Sequence, residues 1–455
     1  MASSYHKRPF YLLAAFEAVA CTVGFVLAAW ATRETVPTAG ASAPGVAVAT
    51  GTVLLTLLAV GLYDWRHAAQ ISEVAVRLLA AVGMALIGLG FMIYFFGLPS
   101  VPPLQAGIWI ALVVPFLLGL RWGFVRIVDL DRFKARVLVL GSGANARALA
   151  DLQRAAQRRP YRIIGFVRSG DSAVEVPRGQ LWDRCDALAE RVQAAGIDEI
   201  VVALDDRRGQ LPADDLIEAR LMGVIVTDYQ RYCERVLGRV DLAALRPSWF
   251  IFNEGFRQSR IDRWLKRAFD VGVSAVLLIL FAPVMLATAL LIKLDSRGPV
   301  LYRQERVGRG GRPFNLLKFR SMRVDAEAAG SPVWAQANDP RVTRVGAVIR
   351  KVRIDEMPQL VNVLTGEMSI VGPRPERPAF VEMLEAEIPF YRERHVIKPG
   401  ITGWAQLNYP YGASVEDAKR KLEYDLYYIK SFSILFDAII LIQTVRVILW
   451  NEGAR

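Results

Sequence analysis

Two adjacent carboxylates, Asp355 and Glu356, lie just beyond a stretch of dense positive charge. From Arg297 to Arg353 the chain carries thirteen Lys or Arg against four Asp or Glu. Such a field depresses a carboxylate's pKa and keeps it ionised as a nucleophile or a metal ligand. The cations suit phosphates, arginine with two parallel donors and lysine as a point charge. In LLKFRSM, Lys318 and Arg320 stand two apart on an expected strand and so face one side. In VGPRPE, Arg374 is held between Pro373 and Pro375, which lowers the entropy of presenting its guanidinium. In KPGITGW, Lys398, two loop glycines, Thr402 and Trp404 offer exposed amides and an aromatic face for a phosphate or a base. Plainer readings stay open at this point: a headgroup-facing basic surface, first-turn acids that complement a helix dipole, and an ordinary β-turn.

The elements that must position these residues begin in a membrane. Of 455 residues, the first 124 hold few charges and four apolar runs, Tyr11–Trp30, Pro44–Leu62, Val76–Leu98 and Leu104–Leu120. Each approaches the ~20 residues that cross a ~30 Å hydrocarbon core, so four transmembrane helices are expected. Glu17 inside the first run, and the three runs after it, argue against a cleaved leader. His6, Lys7 and Arg8, then Arg66 and Arg77, then Arg121, Arg126, Arg132 and Lys134 flank the runs on one side. The positive-inside bias makes that side cytoplasmic; Arg33, offset by Glu34, is the exception.

From residue 136, RVLVLGSGANARALADLQ reads as strand, glycine turn and helix, and strand-like YRIIGFV, DEIVVAL and GVIVTD follow. This predicts a Rossmann-like α/β domain over about 136–250. Its fingerprint is degenerate: Gly141 and Gly143 are present, Ala146 replaces the third glycine, and Arg168 stands where an acid would hold a ribose. The segment contains no lysine, which excludes a Tyr-x-x-x-Lys pair. A regulatory or oligomerisation domain and a nucleotide binder are both compatible with it.

Residues 271–294 form a fifth apolar segment, long enough to cross, with Arg260, Arg263, Lys266 and Arg267 before it and Lys293, Arg297, Arg303, Arg306 and Arg309 after it. Both flanks favour the cytoplasm, which one crossing cannot satisfy. Pro283 at the middle should bend the helix, so a re-entrant helix is expected. A kinked crossing, which would carry everything after 295 outside, is the alternative. The apolar run 434–450 carries Asp437, Gln443 and Arg446, and is expected to lie on the membrane or against the re-entrant helix. Net charge +12 fits a membrane surface or phosphorylated substrate better than nucleic acid in a chain with spans. Three isolated cysteines and three histidines give no metal-ligand spacing.

Taken together, FDVGVSAVLLILFAPVMLATALLIKLDSRGPVLYRQERVGRGGRPF, LLKFRSM, RIDEMPQLVNVLTGEMSIVGPRPE, KPGITGWAQLNY and YDLYYIK resemble the bacterial sugar transferases. These are also called monotopic phosphoglycosyl or polyprenyl-phosphate hexose-1-phosphate transferases. The likeness runs over about 256–455, and the ending NYPYGASVEDAKRKLEYDLYYIK with TVRVILWNEGAR looks like the subgroup tied to exosortase-associated exopolysaccharide loci. It implies a membrane protein of three parts: a four-helix transmembrane bundle (1–125), a Rossmann-like domain (126–255), and a mainly helical α/β catalytic domain (256–455) anchored by a re-entrant helix (271–294). It implies Asp355 as nucleophile, Glu356 with Asp355 as the Mg2+ site, and Arg350 as the arginine preceding them. Pro373, Arg374 and Pro375 would hold the uridine nucleotide, and Lys318 and Arg320 the phosphate side, with Lys398 and Thr402 as further substrate contacts. The family's helix breaks at Ser-Pro, whereas Ala282 precedes Pro283 here. The implied reaction moves a hexose-1-phosphate from a UDP-sugar to undecaprenyl phosphate and releases UMP. It would run at the cytoplasmic face of the bacterial inner membrane, among its lipids, without nucleic acid, and a homodimer is compatible with it. A membrane scaffold or nucleotide-sensing regulator is the alternative, and a nucleotide-sugar oxidoreductase is disfavoured by the broken fingerprint.

Overall fold

The computed structural model describes residues 8–33, 43–63, 71–97, 101–127, 134–155, 161–168, 174–182, 188–206, 211–253, 255–256, 259–323, 341–410, 412 and 414–450. Of the residues named above, His6, Lys7, Glu34, Arg66, Leu98 and Arg132 lie outside these, as do one of the three cysteines, Cys185, and residues 324–340 of the basic run. The chain forms two compact units, Met1–Tyr232 and Cys233–Arg455.

The first unit begins with four apolar helices, as expected: α1 (Arg8–Thr32), α2 (Ala43–Ala59), α3 (Ile71–Phe96) and α4 (Pro103–Ile127). Three of them are long and apolar enough to cross a membrane, while α2 has 17 residues. Tyr11, Phe16, Leu79, Ile87 and Phe116 point outward, as residues facing lipid do. Polar groups turn inward. Glu17 is fully buried, paired with Arg121 Nε at 2.7 Å, and accepts from the Tyr63 hydroxyl, while Arg121 Nη1 also donates to Leu62 O (2.8 Å).

Next come β1 (Ala135–Leu140), α5 (Ala144–Ala155), β2 (Tyr161–Val167), β3 (Leu181–Trp182), α6 (Leu188–Ala194), β4 (Glu199–Val202), α7 (Ala213–Leu221), β5 (Ile225–Asp228) and α8 (Tyr229–Leu237). The sheet is parallel throughout, in the order β3-β2-β1-β4-β5. Leu138, Leu140, Ile200 and Val202 are buried at its centre against helix residues such as Val192 and Ala219, the apolar run a two-face-covered parallel strand requires.

The second unit begins within α8 and continues with α9 (Pro247–Phe252) and the 36-residue α10 (Arg260–Asp295). Ser259 and Asp262 start α10 with a reciprocal capping box, and its outward side chains are apolar: Ile279, Leu286, Leu290 and Leu294. Pro283 is accommodated inside one continuous helix, which is not divided there. The hairpin β6 (Leu301–Val307) and β7 (Pro313–Phe319) follows, turning through Gly310 and Gly311, both at positive φ. Then come α11 (Arg344–Lys351), α12 (Gln359–Thr365), β8 (Ser369–Val371), α13 (Pro378–Glu387), β9 (Gly400–Thr402), α14 (Trp404–Asn408), α15 (Val415–Lys430) and α16 (Ile434–Trp450). Strands β8 and β9 pair in parallel. Val371, Tyr428 and Ile440 pack with Leu278 and Trp404 in a core that ties α10, α15 and α16 to the strand leading into Pro373.

Candidate active site

Asp355 and Glu356 occupy one 3-10 turn, Ile354–Glu356, between α11 and α12. The pattern DEMPQLVNVLTGEMS predicts a single helix opening at Asp355; α12 begins only at Gln359. Pro358 fixes its own φ and has no amide to donate, so the bonds ahead of it close three residues back: Glu356 N to Arg353 O (3.3 Å) and Met357 N to Ile354 O (3.1 Å). Arg353 enters the turn at φ 60°, ψ 16°, a left-handed conformation that costs a non-glycine residue about 1–2 kcal/mol.

The two carboxylates have opposite surroundings. Glu356 Oε1 meets Arg374 Nη2 at 2.7 Å, Lys318 Nζ at 3.6 Å and Arg353 Nη1 at 3.8 Å. Burial alone would raise the Glu356 pKa, but the charges of Arg374 and Lys318 outweigh it and hold the carboxyl well below the usual range. Asp355 goes the other way. Burial and then the charge of Glu356 push its pKa up, against the weaker pull of Lys318, Arg353 and Arg350. Its Oδ1 is buried with no hydrogen-bond partner among the described residues. The basic field therefore depresses Glu356 as the sequence suggests, but not Asp355, where burial and then the anionic Glu356 outweigh the cations.

Arg374 is placed by its backbone. Pro373 O accepts from Gly400 N (2.9 Å), Arg374 O from Arg394 Nη2 (3.0 Å) and Pro375 O from Arg306 Nη1 (3.1 Å). Two of the three residues lack an amide, so their carbonyls are what the fold can grip. Arg394 is itself buried between Asp425 Oδ2 (2.8 Å) and the Tyr391 hydroxyl (2.6 Å). One step back, Asp270 accepts from Ile370 N (3.1 Å) and the Ser369 hydroxyl (3.0 Å), and Lys266 joins it to Asp437. Tyr428 donates to Asp437 at 2.7 Å. None of Lys266, Asp270, Arg394, Asp425 and Tyr428 stands out in the sequence as part of a site. Asp437 does, as a carboxylate in an apolar run.

Of the residues named from the sequence, Lys318 and Arg374 converge on Glu356, and Arg350 acts on Asp355 by charge. Lys318 does so from the inward face of β7, shared with buried Phe314 and Leu316. Arg320 lies past the end of that strand and donates instead to the carbonyl and hydroxyl of Ser296 (both 2.8 Å) at the end of α10. Thr402 shares a hydrogen bond with Thr444 of α16 (2.7 Å). Trp404 donates to Gly238 O (2.6 Å) and packs against Phe436 in the core, so its ring is not a free platform for a base. Lys398 sits beside Arg267 near Gly366; burial and the charges of Arg267, Arg309 and Lys266 lower its pKa. Arg320 and Thr402 are thus held at other partners than the dyad, and Lys398 lies beside Arg267.

The partnerless Oδ1 of Asp355 beside the Glu356 carboxylate is a hard-oxygen donor pair, the kind magnesium takes when substrate phosphates complete its octahedron. The residues present fit that ion.

Residues 261–451 match the bacterial sugar transferase family, and residues 58–210 match a family described as a CoA-binding domain. An exopolysaccharide production protein of Rhizobium leguminosarum bv. phaseoli is 44% identical over 190 residues, 41% of this chain and 95% of that protein. This chain belongs to the bacterial sugar transferase family. A UDP-N-acetylgalactosamine-undecaprenyl-phosphate N-acetylgalactosaminephosphotransferase of Aeromonas hydrophila is 44% identical over 276 residues, 61% of this chain and 63% of that protein. An undecaprenyl-phosphate glucose phosphotransferase of Komagataeibacter xylinus is 36% identical over 342 residues, 71% of this chain and 60% of that protein. The chain thus spans about six-tenths of each of these two longer relatives. The sugar transferase match contains the whole dyad turn, the Pro-Arg-Pro triplet and both networks behind it.

Proposed function

We propose that this sugar transferase moves a sugar-1-phosphate from a UDP-sugar to undecaprenyl phosphate at the inner membrane, beginning a surface polysaccharide. The relatives' names supply the substrate classes, and the flanking charges favour a catalytic unit on the cytoplasmic side. The observation that carries the chemistry is the division between the carboxylates: Glu356 is clamped by three cations, whereas Asp355 Oδ1 has no partner and points its lone pairs at nothing else described.

In this reading a carboxylate oxygen of Asp355 attacks the sugar-bearing phosphorus of the donor. A bond from that oxygen to phosphorus forms, the bond to the bridging oxygen breaks, and UMP leaves with the electron pair. A phosphate oxygen of the polyprenyl acceptor then attacks the same phosphorus and returns Asp355 as a free carboxylate. An anion approaching a diphosphate at a partly dehydrated site meets several kcal/mol of repulsion. Lys318, Arg350, Arg353 and Arg374 offset this, and Glu356 keeps Arg374 and Lys318 aimed at the turn. Magnesium, held by Asp355 and Glu356, would add charge neutralisation on the phosphate oxygens.

Membranes carrying the protein, given radiolabelled UDP-sugars and undecaprenyl phosphate, should release UMP and label the lipid with at least one sugar of a panel. Omitting the lipid should leave a sugar-phosphoryl mass on Asp355. A panel without any turnover would point to the scaffold reading, and turnover that requires both substrates together, with no adduct, would replace the two-step scheme.

A further inference from the structure

In the parallel sheet β3-β2-β1-β4-β5 the order in which the chain adds strands reverses between β1 and β4. Folds of this kind open a crevice at that reversal, where a ligand's phosphate meets the N-terminus of the helix after β1. The CoA-binding description of the matching family leads one to look for a phosphate there.

In this chain the amides at that reversal are already taken by the chain itself. Just past β4 the backbone stays paired with β1, Ala203 N donating to Leu140 O at 2.8 Å as the next rung of that ladder. Asp205 then turns its carboxylate onto the start of α5. Oδ2 accepts from Ala144 N (2.9 Å) and Oδ1 from Asn145 N (3.0 Å), the amides a ligand phosphate would use. The two glycines serve the same approach. A Cβ on Gly143 would lie 1.9 Å from Asp205 Oδ2, and one on Gly141 would lie 2.6 Å from Ala203 O. Gly141 also has φ 137°, outside the range of other residues. The glycines that normally admit a pyrophosphate here admit the chain's own loop.

We infer that the Asp205 carboxylate is a built-in replacement for a ligand phosphate, and that the Rossmann-like domain takes neither CoA nor a dinucleotide at this crevice. A phosphate arriving there competes with a carboxylate tethered at an effective concentration on the order of millimolar or more, and meets its negative charge if the carboxylate stays. The second strand offers no ribose-binding acid either, since Arg168 follows Val167 at its end. The glycine turn is therefore a lock that pins the loop after β4 to α5.

Hydrogen–deuterium exchange of the full chain in nanodiscs, read on peptides covering residues 141–150, tests this without recourse to activity. Because the readout is local, binding of the same compounds to the basic second unit does not enter. In the wild type, millimolar CoA, NAD+ or inorganic pyrophosphate should leave exchange of these peptides unchanged. Asp205→Ala should exchange faster there and gain protection from pyrophosphate, with apparent affinity raised by about tenfold or more, while Asp205→Asn, which keeps one acceptor, should gain less. Protection of wild-type residues 141–150 by CoA or NAD+ would overturn the inference, whether or not the variants fold. A folded Asp205→Ala protein indifferent to pyrophosphate would overturn the phosphate-replacement part.

Discussion

At the scale of single residues, Asp355 and Glu356 have the same charge and adjacent positions, yet the fold treats them oppositely. Folding raises the Asp355 pKa above its ordinary 3.8. Such a group contributes stability that is present below pH 3.8 and lost as pH rises through the raised value, so the ionised form of Asp355 is a cost to the fold. Asp355→Asn should abolish sugar-phosphate transfer and raise the melting temperature. About 1 kcal/mol, or roughly 2–4 °C, is the size expected for relieving one such group. An equally active Asn variant would dismiss Asp355 as nucleophile; an inactive one with a lowered melting temperature would place its carboxylate in the scaffold instead. The same shift sets the pH profile. The attacking form disappears as pH falls through the raised pKa, so the acid limb of kcat/KM should lie above the value of a free aspartate. Glu356, held low, stays ionised throughout that limb and should not contribute a second step.

At the scale of elements, the site depends on α15 and α16 although neither bears a reacting group. Asp437 of α16 is fully buried and receives both Lys266 of α10 and the hydroxyl of Tyr428 on α15. Asp437→Ala removes the acceptor these donors share; Lys266 keeps Asp270 at 3.1 Å and the Tyr428 hydroxyl keeps Val371 O at 3.1 Å, so the loss should be about 2–3 kcal/mol rather than the full cost of a broken buried pair. Thermal unfolding in nanodiscs would read this directly. A change under about 0.5 kcal/mol would mean water replaces the carboxylate and the network does not hold the helices together. Much of this level was legible beforehand. The four apolar helices, the βαβ pattern and the strand carrying Lys318 follow from local periodicity and flanking charge. The helix expected at Asp355 did not, because one proline three residues on redirected the backbone bonds into a 3-10 turn. Strand alternation predicts that Arg320 faces the same side as Lys318, but β7 ends at Phe319 and the side chain turns to Ser296.

At the scale of the whole molecule, α10 carries the question of sidedness. It is a single helix of 36 residues, about 54 Å at 1.5 Å per residue, with cationic flanks at both ends and Pro283 within. The charge rule asks that both ends remain cytoplasmic. A cysteine introduced at exposed Arg297, in a background lacking Cys21, Cys185 and Cys233, should react with a membrane-impermeant maleimide only after the cytoplasmic side is opened. Labelling in intact spheroplasts would make α10 a true crossing and put the dyad on the wrong side for a cytosolic donor.

The amino-acid sequence by itself determined the apolar helices, the parallel sheet, and the basic setting of the adjacent carboxylates, since hydropathy, period and charge are properties of neighbouring residues. It also pointed to the family through motifs spread over the last two hundred residues. Only the tertiary structure decided which carboxylate is clamped and which is left open, and that Asp205 fills the glycine turn of the other unit. Those outcomes depend on burial and on partners far along the chain, Lys318 and Arg374 for Glu356 and Ala144 for Asp205. Side-chain charge is written in the sequence, but the field each charge feels is set by what folding brings within a few ångströms of it.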